Sequence, residues 1–246
     1  RQMCIRDKYN ESSRCMIEKW DVNCTEHPQV CGAALALQRE YEFMAAACMD
    51  KFMLKTDRRV TKMMLKGYEQ DKAANAPQPK YRCLVWACPA HYYTNFTYWT
   101  QHCWGVTCVN DMEAMLSYQP ITIGDKEQAL ADLVRCYEKM MMRSHTNGGY
   151  VNLLDECWKM CEKFHTNIVI MYDHVSCKNV GGLHGLFEDQ ARERGIHLIW
   201  IPHDVMDPRT VSRREMREAF SQYMVTVLNE KPLDPTLLDY EDTLSW

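Results

Sequence analysis

The sequence lacks the two glycine motifs by which many α/β proteins bind nucleotides. It contains neither Gly-x-Gly-x-x-Gly nor a Gly-Lys-Ser/Thr phosphate loop, in which backbone amides cradle phosphate groups. We therefore do not expect the chain itself to bind NAD or ATP. It also lacks a Cys-x-x-Cys pair, which excludes the usual spacing of a zinc ribbon or a thioredoxin-like site.

Long apolar runs and basic runs are missing as well. No apolar stretch approaches the roughly 18 residues that span a bilayer, and no basic run is interleaved with aromatic residues as in many nucleic-acid-binding proteins. With a net charge of −4, we expect neither a membrane nor a nucleic-acid partner. Residues 1–4 carry no initiator Met and no signal-peptide pattern, which suggests a cytoplasmic chain that begins inside a longer gene product.

The composition is that of a globular protein with a sizeable core. Of the 246 residues, 46% are hydrophobic and 25% are charged, as in ordinary folded domains. Thirteen cysteines is a high number. In a chain of this size without an export signal, they favour reduced thiols, some of them metal ligands, over a disulfide framework.

The chain divides into a helical part and an α/β part. Residues 1–76 are mainly helical in pattern, and the two prolines in 75–79 predict a linker. We therefore expect a helical segment with its linker at 1–79 and an α/β domain at 80–246. In the second part, buried strands alternate with helices; the strands are expected at 82–88, 106–109, 167–172 and 197–201. This alternation predicts a parallel, flavodoxin-like or Rossmann-like layered sheet with helices on both faces.

Three helices of the α/β part have particular signals. The first is expected from Lys126 to Arg143 and has an apolar face. Residues 144–149 should interrupt it, and a second helix is expected at 151–164. The apolar face consists of Leu130, Leu133, Val134, Tyr137 and Met141. Ser212 followed by Glu215 predicts a capping box at the start of the last helix.

Cys177 has the most informative position among the cysteines. It follows the predicted strand at 167–172 and precedes a turn with Gly181 and Gly182. In open parallel sheets, ligands bind outside the carboxyl ends of the strands. A thiol at that place is a better candidate for chemistry than one in the middle of a helix. The closely spaced pairs Cys83/Cys88, Cys103/Cys108 and Cys157/Cys161 are expected to be structural, since buried thiols behave as small hydrophobic groups.

Three histidines follow predicted strands. His91, His174 and His203 should all lie at the carboxyl edge of a parallel sheet, where an imidazole can supply a proton to a reacting centre. The alternative is that they are ordinary loop residues. His174 and His203 are the stronger candidates because they flank the unit that contains Cys177.

Two further segments are expected to have structural roles. In 204–209, Arg209 is expected to pair with Asp204 or Asp207 and hold the loop, although it could also reach an anionic substrate. The aromatic residues of 92–99 should pack a helix, with the alternative that the loop after Pro89 lines a pocket for a flat acyl group.

Several motifs together resemble the benzoyl-CoA reductase and 2-hydroxyacyl-CoA dehydratase family. They occur in order between residues 80 and 228: Lys80 to Val85, Ser176-Cys177-Lys178, Gly181-Gly182, Gly195-Ile196, Asp204 with Asp207-Pro208-Arg209, and Ser212. The resemblance implies a subunit with two α/β subdomains that holds one [4Fe–4S] cluster through three cysteines. Of these, the cysteine after the strand of the carboxyl-terminal subdomain corresponds to Cys177. The first subdomain has no counterpart in 1–79, so the resemblance implies a chain that lacks that half or departs from it.

The resemblance also implies partners and a reaction. The partners are a homologous subunit, an ATP-hydrolysing iron–sulfur activator and a ferredoxin-type electron donor, and the substrate is an acyl-CoA. The tail at 230–246 extends past the last helix and is more similar to the reductases, which favours an oxidoreductase of anaerobic aromatic degradation. His174 or His203 would then be a proton donor. The alternatives are a 2-hydroxyacyl-CoA dehydratase subunit, a non-catalytic electron-relay or scaffold subunit, and a metal-free binding domain.

Overall fold

The computed structural model describes residues 2–32, 34, 35, 37, 51–112, 119–139 and 141–239. Eight α-helices of this part are named here in chain order: α1 (Gln2–Asn23), α2 (Lys51–Ala73), α3 (Phe96–Trp104), α4 (Lys126–Glu138), α5 (Met141–Phe164), α6 (Lys178–Gly181), α7 (His184–Arg194) and α8 (Arg213–Thr226). The strands are β1 (Tyr81–Trp86), β2 (Val106–Asp111), β3 (Ile168–His174) and β4 (His197–His203). None of the helices in these ranges is long and apolar enough to cross a membrane.

The four strands form one parallel sheet in the order β2-β1-β3-β4. Their central residues are buried on both faces, as expected of a parallel sheet between two layers of helices. Alternate side chains of β1 point to opposite faces: Cys83 and Val85 join one hydrophobic cluster, and Leu84 and Trp86 join the other. The predicted layered parallel α/β fold is confirmed.

The helical segment packs against one face of this sheet. Trp20 and Val30 belong to the same hydrophobic cluster as the β1 residues Cys83 and Val85, and the ring of Trp20 meets Phe164 edge to face at 6.1 Å. Between α1 and α2, Lys19 Nζ lies 3.5 Å from Asp57 Oδ1 in a fully buried pair. The two helices are therefore joined by a polar contact and also share the core of the α/β part.

The ends of several elements match local sequence signals. Gly105 and Gly195 end α3 and α7 in the left-handed conformation, with φ of 69° and 65°, which glycine adopts without steric cost. Ser212 and Glu215 form the predicted capping box of α8, because each side chain accepts a hydrogen bond from the backbone of the other.

The prediction for 126–164 is confirmed for the second helix and wrong for the first. Gly149 is non-helical within the predicted break at 144–149, and α5 ends at Phe164 as expected. The first helix, however, ends at Glu138 instead of Arg143, and α5 already begins at Met141. The predicted apolar face of α4 is also exposed: Leu130 is 62% and Tyr137 57% accessible. Instead α4 buries Asp132 and Cys136.

Long-range polar contacts explain why α4 buries its other face. The carboxylate of Asp132 accepts hydrogen bonds from the backbone N–H and the hydroxyl of Thr122, at 2.9 and 2.6 Å. The thiol of Cys136 lies 3.7 Å from the hydroxyl oxygen of Tyr9 on α1. Tyr9 is distant in sequence and Thr122 precedes the helix, so the spacing of apolar residues within the helix does not reveal these partners.

Candidate functional site at the carboxyl edge of the sheet

The carboxyl ends of β1, β3 and β4 bring the three predicted histidines to one edge. His174 and His203 are paired in register on β3 and β4, and their rings are perpendicular with centroids 5.4 Å apart. The N–H of His91 donates to the carbonyl of Val205 at 2.9 Å, which joins the loop after β1 to the loop after β4. The predicted placement of these residues is confirmed, whereas their chemical roles stay predictions.

Cys177 lies three residues beyond the end of β3. Its N–H donates to the carbonyl of His174 at 2.9 Å, and it occupies the N-cap position of α6 without a capping hydrogen bond from its side chain. The residue is half-buried and packs against the core cluster of one sheet face. Its thiol is therefore held at the edge of the sheet with access to solvent, unlike the thiols within the core.

His174 is held in one tautomer by Ser176. The Nδ1 atom of His174 accepts a hydrogen bond from the backbone N–H of Ser176 at 3.1 Å, and the Ser176 hydroxyl lies 2.9 Å from the same atom. An atom that accepts from a backbone N–H carries no proton in the neutral ring, so the proton is on Nε2. His174 is half-buried and can present this Nε2–H at the edge.

His203 has a different environment, because its ring is completely buried. It contacts Tyr172 edge to face at 5.0 Å as well as His174. Within the described part of the chain, neither ring nitrogen has a hydrogen bond of normal geometry. Burial, and secondly the neighbouring His174, lower the pKa of His203. The ring is therefore uncharged near neutral pH, and its complete burial argues against direct contact with a substrate.

A second thiol lies at this edge. Cys88, two residues after β1, is half-buried, and its Sγ is 3.8 Å from His91 Nε2. Its partner in the predicted structural pair, Cys83, is fully buried in β1, where burial raises the pKa of its thiol well above the ordinary value. The two residues thus have different environments, which their spacing in the sequence does not reveal.

Sequence reasoning missed His184, which lies next to the end of β3. Its Nε2 is 3.3 Å from Asp173 Oδ2, and its ring stacks on Trp200 with centroids 3.6 Å apart. The indole N–H of Trp200 in turn donates to Glu188 Oε1 at 2.6 Å. The sequence does show an aromatic residue within β4, Trp200, and a histidine after the glycine turn. It does not show that the two are in contact, because that depends on how α7 packs on the sheet.

The loop at 204–209 has the structural role favoured by the sequence. Asp204 Oδ1 accepts from the N–H groups of Met206 and Asp207, at 2.9 and 2.8 Å. Arg209 makes a two-pronged contact with Asp207, at 2.9 and 2.6 Å. This contact lowers the pKa of the Asp207 carboxyl to about 2. Arg209 therefore holds the loop, as predicted.

The aromatic residues after β1 mainly fill the core. Tyr93, Phe96 and Trp99 are buried, and the hydroxyl of Tyr92 donates to the carbonyl of Val211 at 2.6 Å. The void beside Pro89 and Tyr93 has a volume of about 10 Å³, which is roughly the space of one water molecule. The alternative of an acyl pocket at this loop finds no support in this conformation.

The described donors do not complete the [4Fe–4S] site that the resemblance implies. Such a cluster is held by cysteine thiolates, and the thiols placed at this edge are Cys177 and Cys88. Among the residues that the structure describes, no group of three His, Cys, Asp or Glu side chains is arranged to hold a metal ion. Cys177 has the access that a ligand requires, and its role as a ligand stays a prediction.

Comparison with known proteins supports the resemblance seen in the motifs. A family model described as 2-hydroxyglutaryl-CoA dehydratase, D-component, matches residues 6–224. The match includes most of α1, α2 and the whole sheet, so it extends further toward the amino terminus than the motifs do. No curated protein matches the chain.

Proposed function

The chain belongs to the 2-hydroxyglutaryl-CoA dehydratase D-component family, and we propose that its Cys177 contributes one thiolate ligand to an iron–sulfur cluster. Membership of the family makes the chain a subunit of a multi-subunit complex of the acyl-CoA dehydratase type. The observation that carries the proposal for Cys177 is its position beyond β3, half-buried and next to His174. Because the described residues do not complete the ligand set, the homologous partner subunit or the rest of this chain would supply the other ligands.

The reaction that we propose first is the removal of water from a 2-hydroxyacyl-CoA, in line with the description of the matched family. A departing hydroxyl needs a proton to leave as water. His174 lies at the same edge as Cys177 and presents Nε2–H there because Ser176 occupies Nδ1. The proton is given up by the doubly protonated ring, in which the Ser176 hydroxyl oxygen accepts from Nδ1–H, and the ring returns to its neutral form. We assign the donor role to His174. The buried ring of His203, which packs against it, positions His174 and does not itself touch the substrate.

A reductase of the benzoyl-CoA type is the second candidate, favoured by the tail after α8. The tail packs back on α3: the N–H of Leu233 donates to the carbonyl of Cys103 at 2.7 Å, and the indole N–H of Trp99 donates to the carbonyl of Leu237 at 2.9 Å. Residues 240–246 lie outside the described part. In this reading the substrate is an aromatic acyl-CoA, and the ATP-hydrolysing activator and a ferredoxin-type donor supply electrons.

The test begins with iron and acid-labile sulfide, measured on the anaerobically purified complex. We expect Cys177→Ala to lower both relative to wild type, whereas Cys103→Ala, which removes a buried thiol far from this edge, should leave both unchanged. An unchanged iron content in Cys177→Ala would show that Cys177 is not a ligand.

Product analysis separates the reactions and the non-catalytic alternative. A 2-hydroxyacyl-CoA should yield the enoyl-CoA if the complex is a dehydratase, whereas an aromatic acyl-CoA should lose its aromatic absorbance if it is a reductase. His174→Gln should reduce turnover without changing the iron content. Full turnover in both Cys177→Ala and His174→Gln would support a scaffold or electron-relay subunit instead.

A further inference from the structure

A groove lies at the opposite edge of the sheet from Cys177. It has a volume of about 580 Å³ and is formed by the last turns of α5, the residues between α5 and β3, and the turn between α7 and β4. These segments meet at the amino ends of β3 and β4, whose seven-residue strands separate the two edges by about 20 Å at roughly 3.3 Å per residue. The groove is thus distinct from the candidate site and independent of the proposed function.

Two cysteines of α5 lie beneath this groove. Cys157 and Cys161 are four residues apart and so share one face of the helix, and their thiols are hydrogen-bonded to each other. Cys157 is fully buried, whereas Cys161 lines the groove with 2% of its surface accessible. Approach through the groove therefore reaches Cys161 first, with Cys157 behind it as a hydrogen-bond donor.

The surroundings favour the thiolate of Cys161 over that of its neighbour. The hydrogen bond from Cys157 is the largest influence and lowers the pKa of Cys161; Thr166 and Arg194 act in the same direction, and burial opposes them. Burial raises the pKa of Cys157 well above its ordinary value. Since the thiolate is the nucleophilic form of cysteine, Cys161 is the reactive member of the pair.

The rim of the groove carries charges of both signs. Lys159, His165 and Arg194 provide cationic or titratable nitrogen groups, and Asp155 and Glu162 provide carboxylates. The guanidinium of Arg194 lies over the ring of Trp158, 5.1 Å from its centroid, which keeps the positive charge at the edge of the cavity. Such a rim suits a zwitterionic ligand that has both carboxylate and ammonium groups.

We propose that Cys161 is a site of thiol–disulfide exchange with a small zwitterionic peptide disulfide of the glutathione class. The Cys161 thiolate attacks one sulfur of the disulfide, a new S–S bond forms, and the original S–S bond breaks. The leaving half departs as a thiolate and takes a proton from water. Cys161 is thereby oxidised to a mixed disulfide, the reagent disulfide is the oxidant, and an added small thiol reverses the step.

The first test needs no variant. The reduced full chain is incubated anaerobically with glutathione disulfide, and the modified cysteines are identified by peptide mass mapping over time. We expect Cys161 to react about tenfold faster at pH 7 than Cys83 or Cys108, because those two thiols are fully buried, whereas Cys161 lines the groove and can attack as a thiolate. Equal rates for the three thiols would overturn the proposal, since exchange would then depend on general unfolding.

Two variants separate the hydrogen bond from the charged rim. Cys157→Ala should slow the reaction of Cys161 and move its pH dependence upward, whereas Cys157→Ser, which retains a donor, should restore much of the rate. Lys159→Gln should slow exchange with glutathione disulfide but not alkylation by the neutral reagent iodoacetamide. Equal reactivity in Cys157→Ala and wild type, or equal slowing with both reagents in Lys159→Gln, would contradict the assigned roles.

Discussion

Arg82 is the residue whose replacement we expect to separate the helical segment from the sheet. It is the second residue of β1 and only 9% accessible. Its Nε donates to the carbonyl of Phe164 at 2.9 Å, Nη1 to Thr25 at 2.8 Å and Nη2 to Asn23 at 2.7 Å. Phe164 and Asn23 end α5 and α1, where carbonyls lack partners within the helix and a cation is favourable.

The expected loss of stability follows from these three bonds. A hydrogen bond from a charged donor contributes about 1.5–3 kcal/mol net, so the three together would give roughly 4.5–9 kcal/mol if they were additive. Burial of the guanidinium, which lowers the pKa of Arg82, offsets part of this. We therefore expect Arg82→Met to lower the free energy of unfolding by about 3–5 kcal/mol, the usual cost of breaking a buried charged contact.

Arg82→Lys tests whether the shape of the guanidinium matters. A single ammonium cannot span three separated carbonyls as the planar fork does, so we expect a loss of about 2–3 kcal/mol. The measurement is urea unfolding followed by tryptophan fluorescence, with the slope m compared among variants. Arg192→Met, which removes an exposed pair with Asp189, is the control and should show no measurable change. A loss below about 1 kcal/mol in Arg82→Met would refute the reasoning, because one net hydrogen bond would account for it.

Three further predictions concern stability. The pKa of His203 is lowered in the folded state, whereas the unfolded imidazole keeps its ordinary pKa of about 6.5, so below that pH the unfolded chain binds more protons than the folded one. Stability should therefore fall from pH 7 to pH 5, and His203→Gln should flatten this dependence in urea titrations. The buried side chain of Asn23 makes four hydrogen bonds with the backbone of residues 29, 30 and 109; Asn23→Ala should cost roughly 2–4 kcal/mol, and an unchanged urea midpoint would contradict this role. Ser212→Ala should cost about 1 kcal/mol by loss of the α8 cap, whereas Ser212→Thr should retain most of it in thermal unfolding.

Local signals were sufficient to predict much of the fold. The alternation of buried strands and helices, the glycine at 195 and the Ser212–Glu215 box depend on residues near one another in the sequence, and the structure confirms them. The orientation of α4 was not predictable in this way. Its apolar stripe has ordinary helical spacing, but contacts with Tyr9 and Thr122 decide which face is buried.

The candidate site shows the same division. Parallel strands alone predict that His174, His203 and Cys177 meet at one edge, because the carboxyl ends of such strands lie together. The contact of His184 with Asp173, and the groove above Cys161, required the packing of α7 and of the α5 terminus against β3 and β4. No spacing within a single segment indicates these contacts.

The environment of each thiol, more than the number of thiols, indicates its chemistry. Cys83 is enclosed in β1, and burial raises its pKa, so it should be inert. Cys177 is half-buried at the edge where the family resemblance places a ligand, and Cys161 lines a groove about 20 Å away, counted at the rise of a β-strand. Loss of the Cys177 thiol should therefore lower the iron content without changing disulfide exchange. Loss of the Cys161 thiol should stop the exchange without changing the iron content. A single variant that altered both would mean that the two edges of the sheet are coupled.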